Sequence, residues 1–333
     1  MSLPLSDPSL LRTQCLIDGD WRDAGGGATF AVHNPANEQP LARVADGGAA
    51  ETTAAIAAAR AALPGWRGLT ALERARLLRR WHDLVLAHRD DLARLMTLEQ
   101  GKPLAEARGE IAYGAAYIDW FAEEARRVYG DVIPTTGSDR RLLVIRQPVG
   151  VVAAITPWNF PMAMLARKLA PALAVGCTVV AKPAAETPLS ALALGELAQR
   201  AGIPPGVLNL VAGTDAAAIG AVLTGSRDVA KLSFTGSTAV GKGLLAACAE
   251  TVKRVSMELG ATRPCWCSTT PTWTWRWKGP WPPSSATPGK PVSALTASWC
   301  NGAFTIASWR AWGSGLRHSR WAMAWPRILP SAP

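Results

Sequence analysis

Three short segments of this 333-residue sequence combine glycine, lysine and amide side chains in patterns that could bind a phosphorylated ligand. Residues 235–241 read Thr-Gly-Ser-Thr-Ala-Val-Gly and follow a β-rich run that ends at Phe234. If a helix begins there, its free N–H groups and partial positive charge would favour a phosphate. The usual G-x-G-x-x-G spacing of dinucleotide-binding turns is absent, so a plain turn with a helix cap is an equal alternative.

The other two segments also follow β-rich runs. Residues 157–161 read Pro-Trp-Asn-Phe-Pro, and Lys182-Pro183 ends the run that begins at residue 178. Because ligands of parallel α/β sheets gather where strands pass into helices, these turns are candidate binding positions. The six cysteines and four histidines show no spacing typical of a disulfide scaffold, a zinc site or a catalytic triad. No metal site is predicted.

The elements that must position these segments alternate along the chain. Helical spacing of apolar residues predicts helices over 51–62, 71–88, 104–129, 161–175, 188–202, 216–224 and 238–251. Short β-rich runs predict strands over 142–146, 151–156, 178–182, 207–211, 230–234 and 254–257. Such alternation predicts an α/β fold with a parallel sheet covered by helices on both faces.

Four strings in this order and spacing resemble the aldehyde dehydrogenase superfamily. They are Thr-Pro-Trp-Asn-Phe-Pro at 156–161, Lys-Pro-Ala at 182–184 with Thr-Pro at 187–188, Phe-Thr-Gly-Ser-Thr at 234–238, and Met-Glu-Leu-Gly at 257–260. Residues 99–103 and 113–124 are similar to the succinate- and glutarate-semialdehyde branch. The resemblance covers roughly residues 12–260 and implies a Rossmann-type NAD(P)-binding domain, with an arm strand near 142–146.

The family reaction needs a thiolate that attacks the aldehyde, a hydride acceptor, and water that cleaves the resulting thioester. The resemblance implies that the amide of Asn159 donates to the developing oxyanion and that Glu258 is the general base for the water. The alternatives are an ordinary asparagine in a proline-rich turn and a solvated glutamate at a strand end. A semialdehyde substrate would place its distal carboxylate on Arg167, whose alternative is a helix-surface arginine.

The resemblance further implies NADP or NAD as the cofactor. Lys182 would bind the adenosine ribose or a 2′-phosphate, or would otherwise be a surface lysine, and Gly236 and Ser237 would lie against the pyrophosphate. Ala185 lacks the carboxylate that would repel a 2′-phosphate, which favours NADP or dual use, although Glu186 stands next to it. The remaining cofactor-binding positions implied are Thr156, Pro157, Trp158, Pro183, Ala184, Gly213, Gly241 and Leu259.

The composition changes at Gly260. The first 260 residues hold 27 basic and 25 acidic residues, whereas residues 261–333 hold eight basic residues, no acidic residue and ten of the fifteen tryptophans. At the position where the family has the cysteine of Gly-Gln-Thr-Cys, this sequence has Val292. Codons that the genetic code allows for residues 289–293 can encode Gly-Gln-Thr-Cys-Val when the reading frame moves by one base. We therefore expect a frame shift near Gly260, a poorly ordered tail over 261–333, a largely missing catalytic domain and no catalytic cysteine.

Two other functions remain as alternatives: a non-catalytic NAD(P)-binding fragment, and a nucleic-acid binder that uses the basic, tryptophan-rich tail. We expect no nucleic-acid partner, because shifted GC-rich codons produce tryptophan, arginine and proline without selection. No apolar run predicts a membrane span, and the N-terminus predicts no secretory signal, so a cytoplasmic location is expected. The resemblance implies that an intact family member is a homo-oligomer. Because only the arm strand of the subunit interface is present here, this chain is not expected to assemble in the same way.

Overall fold

The computed structural model describes residues 5–260. The helices are α1 (Ala49–Gly68), α2 (Ala71–Ala87), α3 (Arg89–Gln100), α4 (Leu104–Glu124), α5 (Ala163–Ala174), α6 (Pro188–Arg200), α7 (Ala216–Gly225) and α8 (Thr238–Ala249). The strands are β1 (Cys15–Ile17), β2 (Asp20–Arg22), β3 (Thr29–His33), β4 (Pro40–Ala45), β5 (Asp131–Ile133), β6 (Leu142–Val144), β7 (Val151–Ile155), β8 (Thr178–Lys182), β9 (Leu208–Leu210), β10 (Val229–Gly236) and β11 (Arg254–Leu259). The predictions for 261–333, Val292 included, lie outside the described residues.

The main sheet has the strand order β11-β10-β7-β8-β9-β1-β2. Its first five strands are parallel, which confirms the predicted parallel sheet. The antiparallel hairpin of β1 and β2, which pairs with β9, was not predicted, because strands of three residues are too short for a periodic pattern. The strand β6 lies within residues 142–146, where the arm strand is predicted, and pairs antiparallel with β5 outside the main sheet.

Alternate residues of the central strands face two separate hydrophobic cores, as the period of two in a strand requires. Val152 and Ala154 of β7 join the core under α2 to α6, whereas Val151 and Ala153 join the core under α1, α7 and α8. Helices therefore cover both faces of the sheet, as predicted. Within residues 5–260, no helix has both the length and the apolar character needed to cross a bilayer.

Three helices differ from the prediction. The helix α1 continues past residue 62, through Pro64, to Gly68, because Trp66 is buried and its indole N–H donates to the carbonyl of Leu173 at 3.1 Å. The predicted helix over 104–129 ends instead at Glu124. The helix α3 was not predicted; it ends at Gln100 and is capped by Gly101, whose φ of 87° is the left-handed conformation that favours glycine.

Candidate functional site

The predicted site residues lie together at one edge of the sheet. The register pairs Thr235 with Glu258 across β10 and β11, and pairs Ile155 with both Phe234 and Lys182. The carboxyl ends of β11, β10, β7 and β8 are therefore adjacent in that order. This edge carries Glu258, the glycine-bearing turn, the 156–161 turn and Lys182, and the turn after β9 with Gly213 continues the series.

The turn after β10 begins a twelve-residue helix, α8. Ser237 is the N-cap residue in an extended conformation, and its side chain accepts a hydrogen bond from the backbone N–H of Val240 at 3.3 Å. A Cβ at Gly236 would overlap the ring of Phe234, and a Cβ at Gly241 would overlap the side chain of Leu259. The glycines thus allow close packing of the turn. Residues 237–240 at the start of the helix are exposed, so its N-terminal N–H groups are accessible to a ligand.

Lys182 is buried, with 6% of its surface exposed, so the surface-lysine interpretation is wrong. Its Nζ donates to the carbonyl of Pro183 at 3.1 Å. Burial lowers the pKa of this amine, while the carboxylates of Glu186 and Asp46 act in the opposite direction. A buried ammonium with a neighbouring carbonyl is suited to a polar or anionic ligand. Ala185 beside it is half-buried, and Glu186 is exposed.

The turn after β7 holds two buried oxygens that have no hydrogen-bond partner among the described residues, Thr156 Oγ1 and Asn159 Oδ1. The N–H of Thr156 donates to the carbonyl of Lys182 at 3.2 Å, which ties the two turns together. Pro157 is half-buried, whereas Trp158 beside it is exposed. Pro183 is buried and Ala184 half-buried. Unpaired buried oxygens in a native fold call for an explanation, and a bound ligand would supply one.

Arg167 extends from α5 to Glu258. Its Nη2 donates to Glu258 Oε1, and Thr235 Oγ1 donates to Oε2 at 3.1 Å. The side chains of Arg167 and Glu258 are 27% and 41% exposed, so the arginine is partly buried while the pair remains accessible to solvent. The guanidinium also lies 5.9 Å from the ring centre of Tyr117, and burial raises the pKa of that phenol.

Sequence reasoning missed a buried ion pair behind the 156–161 turn. Lys102 Nζ donates to the carboxylate of Glu110 and to the carbonyl of Asn159, the latter at 3.0 Å. Glu110 in turn accepts from the N–H groups of Met162 and Ala163, at 3.1 and 3.2 Å, where α5 begins. Lys102 and Glu110 therefore fix the backbone that presents Asn159. The sequence signal for Lys102 was the string at 99–103, which is similar to the semialdehyde branch but was given no function.

Lys168 is a second group that the sequence did not indicate. It is buried, its Nζ donates to Ser233 Oγ at 3.0 Å, and burial lowers its pKa to about 8.

Gly213 lies against the backbone of Gly47, where a Cβ would overlap the Gly47 carbonyl. The neighbouring Thr214 donates its N–H to Asp46 at 2.7 Å, which fixes this turn to the loop before α1.

The cysteines of residues 5–260, Cys15, Cys177 and Cys248, are all buried. Burial raises the pKa of each thiol, that of Cys15 to about 11. Buried thiols with raised pKa values carry little thiolate near neutral pH, so these three cysteines are small buried residues of the core. Over the same residues, no cluster of histidine, cysteine and acidic side chains could hold a metal ion.

Comparison with known proteins gives consistent matches. The family model described as aldehyde dehydrogenase family matches residues 21–268. The NADP(+) succinate-semialdehyde dehydrogenase of Escherichia coli is 60% identical over 262 residues, which are 79% of this chain and 54% of that protein. The glutarate-semialdehyde dehydrogenase of Pseudomonas aeruginosa is 58% identical over 262 residues, with the same coverage. The chain thus spans about half the length of these curated relatives.

A solved structure agrees with the sequence matches. The crystal structure of succinate-semialdehyde dehydrogenase from Burkholderia pseudomallei is 58% identical, with a TM-score of 0.77. The match covers 78% of this chain and 54% of that one.

Proposed function

This chain belongs to the aldehyde dehydrogenase family. We propose that residues 5–260 bind NADP or NAD at the carboxyl ends of the parallel strands, where the candidate site lies. The observation that carries the proposal is the alignment of a capped helix N-terminus, a buried lysine and two unpaired buried oxygens along adjacent strand ends. Phosphates suit the first feature and ribose hydroxyls or a phosphate suit the second. These residues fit a dinucleotide, which accepts a hydride when it is bound.

Within this edge, each side chain has a role that its position supports. Ser237 and Gly236 would lie against the pyrophosphate, and Lys182 would bind the adenosine ribose or its 2′-phosphate. Asn159, held through its carbonyl by Lys102, would donate its amide to an oxyanion. Glu258 would accept the proton of the water that cleaves the thioester.

We propose that the family substrate is a small semialdehyde, oxidised to its carboxylate. Arg167 supports this class, because it is partly buried at the same edge as Glu258 and already holds a carboxylate there. Its guanidinium would bind the distal carboxylate of the substrate. The two similar proteins named succinate-semialdehyde and glutarate-semialdehyde dehydrogenase support the same substrate class.

We also propose that the chain as written binds the cofactor without oxidising aldehyde. The reaction needs an accessible thiolate, whereas the cysteines of residues 5–260, Cys15, Cys177 and Cys248, are buried with raised pKa values. In the rest of the sequence, none of Cys265, Cys267 and Cys300 stands in a Gly-Gln-Thr-Cys string. The abrupt loss of acidic residues after Gly260, and codons that permit Gly-Gln-Thr-Cys-Val in a shifted frame, support a frame shift as the cause. Incubation with succinate semialdehyde and NADP+ should therefore form no NADPH; steady NADPH formation would contradict this proposal. Resequencing the gene across codons 258–293 tests the frame directly.

Calorimetric titration with NADP+ and with NAD+ tests the binding proposal. Lys182→Met should weaken NADP+ binding about tenfold or more, since it removes a charged hydrogen-bond donor from a buried position. Arg22→Met on β2, the outermost strand of the sheet and separated from β9 by β1, makes the same change in net charge and should leave binding unchanged. Ala185→Glu should lower the affinity for NADP+ more than that for NAD+. Equal affinities of the chain and of Lys182→Met would refute the assigned site.

A further inference from the structure

The two charged groups assigned to substrate recognition and to proton transfer are paired with each other. Arg167 donates to one oxygen of the Glu258 carboxylate, and Thr235 donates to the other at 3.1 Å. The other contacts of the guanidinium are weaker: the sulfur of Met164 lies 3.6 Å from Nη1, and the Tyr117 ring centre lies 5.9 Å away. Glu258 is thus the carboxylate that Arg167 contacts in this structure.

The ion pair of Arg167 and Glu258 is accessible to a ligand carboxylate that arrives from solvent. Both side chains are accessible, at 27% for Arg167 and 41% for Glu258. Two carboxylates on one guanidinium repel each other, so a second anion is accommodated best when the first leaves. Glu258 has an alternative partner in Thr235, which can retain the released carboxylate at the same strand end.

We infer that a ligand carboxylate displaces Glu258 from Arg167, so that recognition of an acidic aldehyde and release of the general base are one event. This inference rests on the proposed function, which gives Arg167 the substrate carboxylate. The coupling is reciprocal: Glu258 competes with the ligand, and the ligand frees Glu258. A carboxylate-bearing aldehyde would free its own base, whereas an uncharged aldehyde would leave Glu258 paired with Arg167. Selectivity for acidic substrates would then arise in the chemical step as well as in affinity.

The competition can be measured on the full chain without turnover. The probe is 4-hydroxybutyrate, which has the carboxylate and length of succinate semialdehyde but no aldehyde; 1,4-butanediol is the uncharged control. Dissociation constants come from ligand-observed NMR titration. Glu258→Gln should bind 4-hydroxybutyrate about two- to fivefold more tightly, the range expected when a partly exposed ion pair no longer competes. Binding of 1,4-butanediol should not change.

Three further variants separate direct competition from other causes. Glu250→Gln removes one negative charge at an exposed position after α8 and should leave the dissociation constant unchanged. Glu258→Asp keeps the charge but shortens the side chain, so direct competition predicts tightening comparable with Glu258→Gln. Arg167→Met should abolish the preference for 4-hydroxybutyrate over 1,4-butanediol. Circular dichroism checks that each variant is folded.

Each outcome decides the inference. Tightening in both Glu258 variants but not in Glu250→Gln supports displacement. An unchanged constant in the Glu258 variants, together with loss of binding in Arg167→Met, overturns displacement while the proposed substrate contact stands. If the unsubstituted chain does not prefer 4-hydroxybutyrate to 1,4-butanediol, the substrate contact on Arg167 fails, and the inference fails with it.

Discussion

The substitution Glu99→Gln tests which of two opposing effects governs a buried carboxyl. Glu99 at the end of α3 is 3% exposed and accepts hydrogen bonds from the N–H groups of Leu189 and Ser190, at 2.7 and 2.8 Å, in the first turn of α6. Those bonds and the helix N-terminus favour the ionised carboxylate. Burial favours the neutral acid, and it raises the pKa from 4.5 to about 7.

The consequence for stability follows from linkage. Because the folded pKa lies above the unfolded one, the folded chain retains a proton between pH 4.5 and 7 that the unfolded chain has released. The stabilisation is fully present below pH 4.5 and is lost as the pH rises through 7. A pKa difference of this size corresponds to a change of roughly 3 kcal/mol in the free energy of unfolding. Glutamine cannot ionise, so Glu99→Gln lacks this dependence.

Urea unfolding at several pH values measures the effect. Far-UV circular dichroism is the suitable signal, because ten of the fifteen tryptophans follow residue 260. The stability of the unsubstituted chain minus that of Glu99→Gln should fall by roughly 3 kcal/mol from pH 4.5 to pH 8. Glu73→Gln is the control with the opposite sign: the hydrogen bond from the backbone of Thr70 lowers the pKa of Glu73, so its contribution is lost as the pH falls below 4.5 and does not decline between pH 4.5 and 8. A Glu99 difference that stays constant or rises with pH would show that the helix N-terminus outweighs burial.

Two further substitutions, with a glycine control, test the turns of the site by the same unfolding assay. Ser237→Ala removes the side-chain cap of α8 and should lower stability by about 1 kcal/mol; a variant as stable as the unsubstituted chain would mean that the cap contributes nothing. Gly213→Ala places a Cβ against the Gly47 carbonyl and should cost about 1–3 kcal/mol. Gly243→Ala, inside α8 with open space around it, should instead raise stability by roughly 0.5–1 kcal/mol. Equal effects of the two glycine substitutions would refute the close-packing argument.

Much of the site's location could be predicted from the sequence. The strings at 156–161, 182–184, 234–238 and 257–260 each end or follow a β-rich run, and parallel pairing brings such ends to one edge. That argument placed Asn159, Lys182 and Glu258 at one edge of the sheet. It could not show that Lys182 is buried, because burial depends on what packs over the strand end.

The sequence by itself determined the elements whose signals are local: every helix except α3, the parallel strands of the main sheet and the helix start at Ser237. Tertiary structure alone decided the contacts that join distant segments. Lys102 reaches the carbonyl of Asn159, 57 residues away, and Arg167 reaches Glu258, 91 residues away. The hairpin of β1 and β2 joins the sheet through β9 in the same way. A pattern in neighbouring residues reports backbone preference and the face that is buried, whereas the partner of a buried charge depends on which elements fold against it.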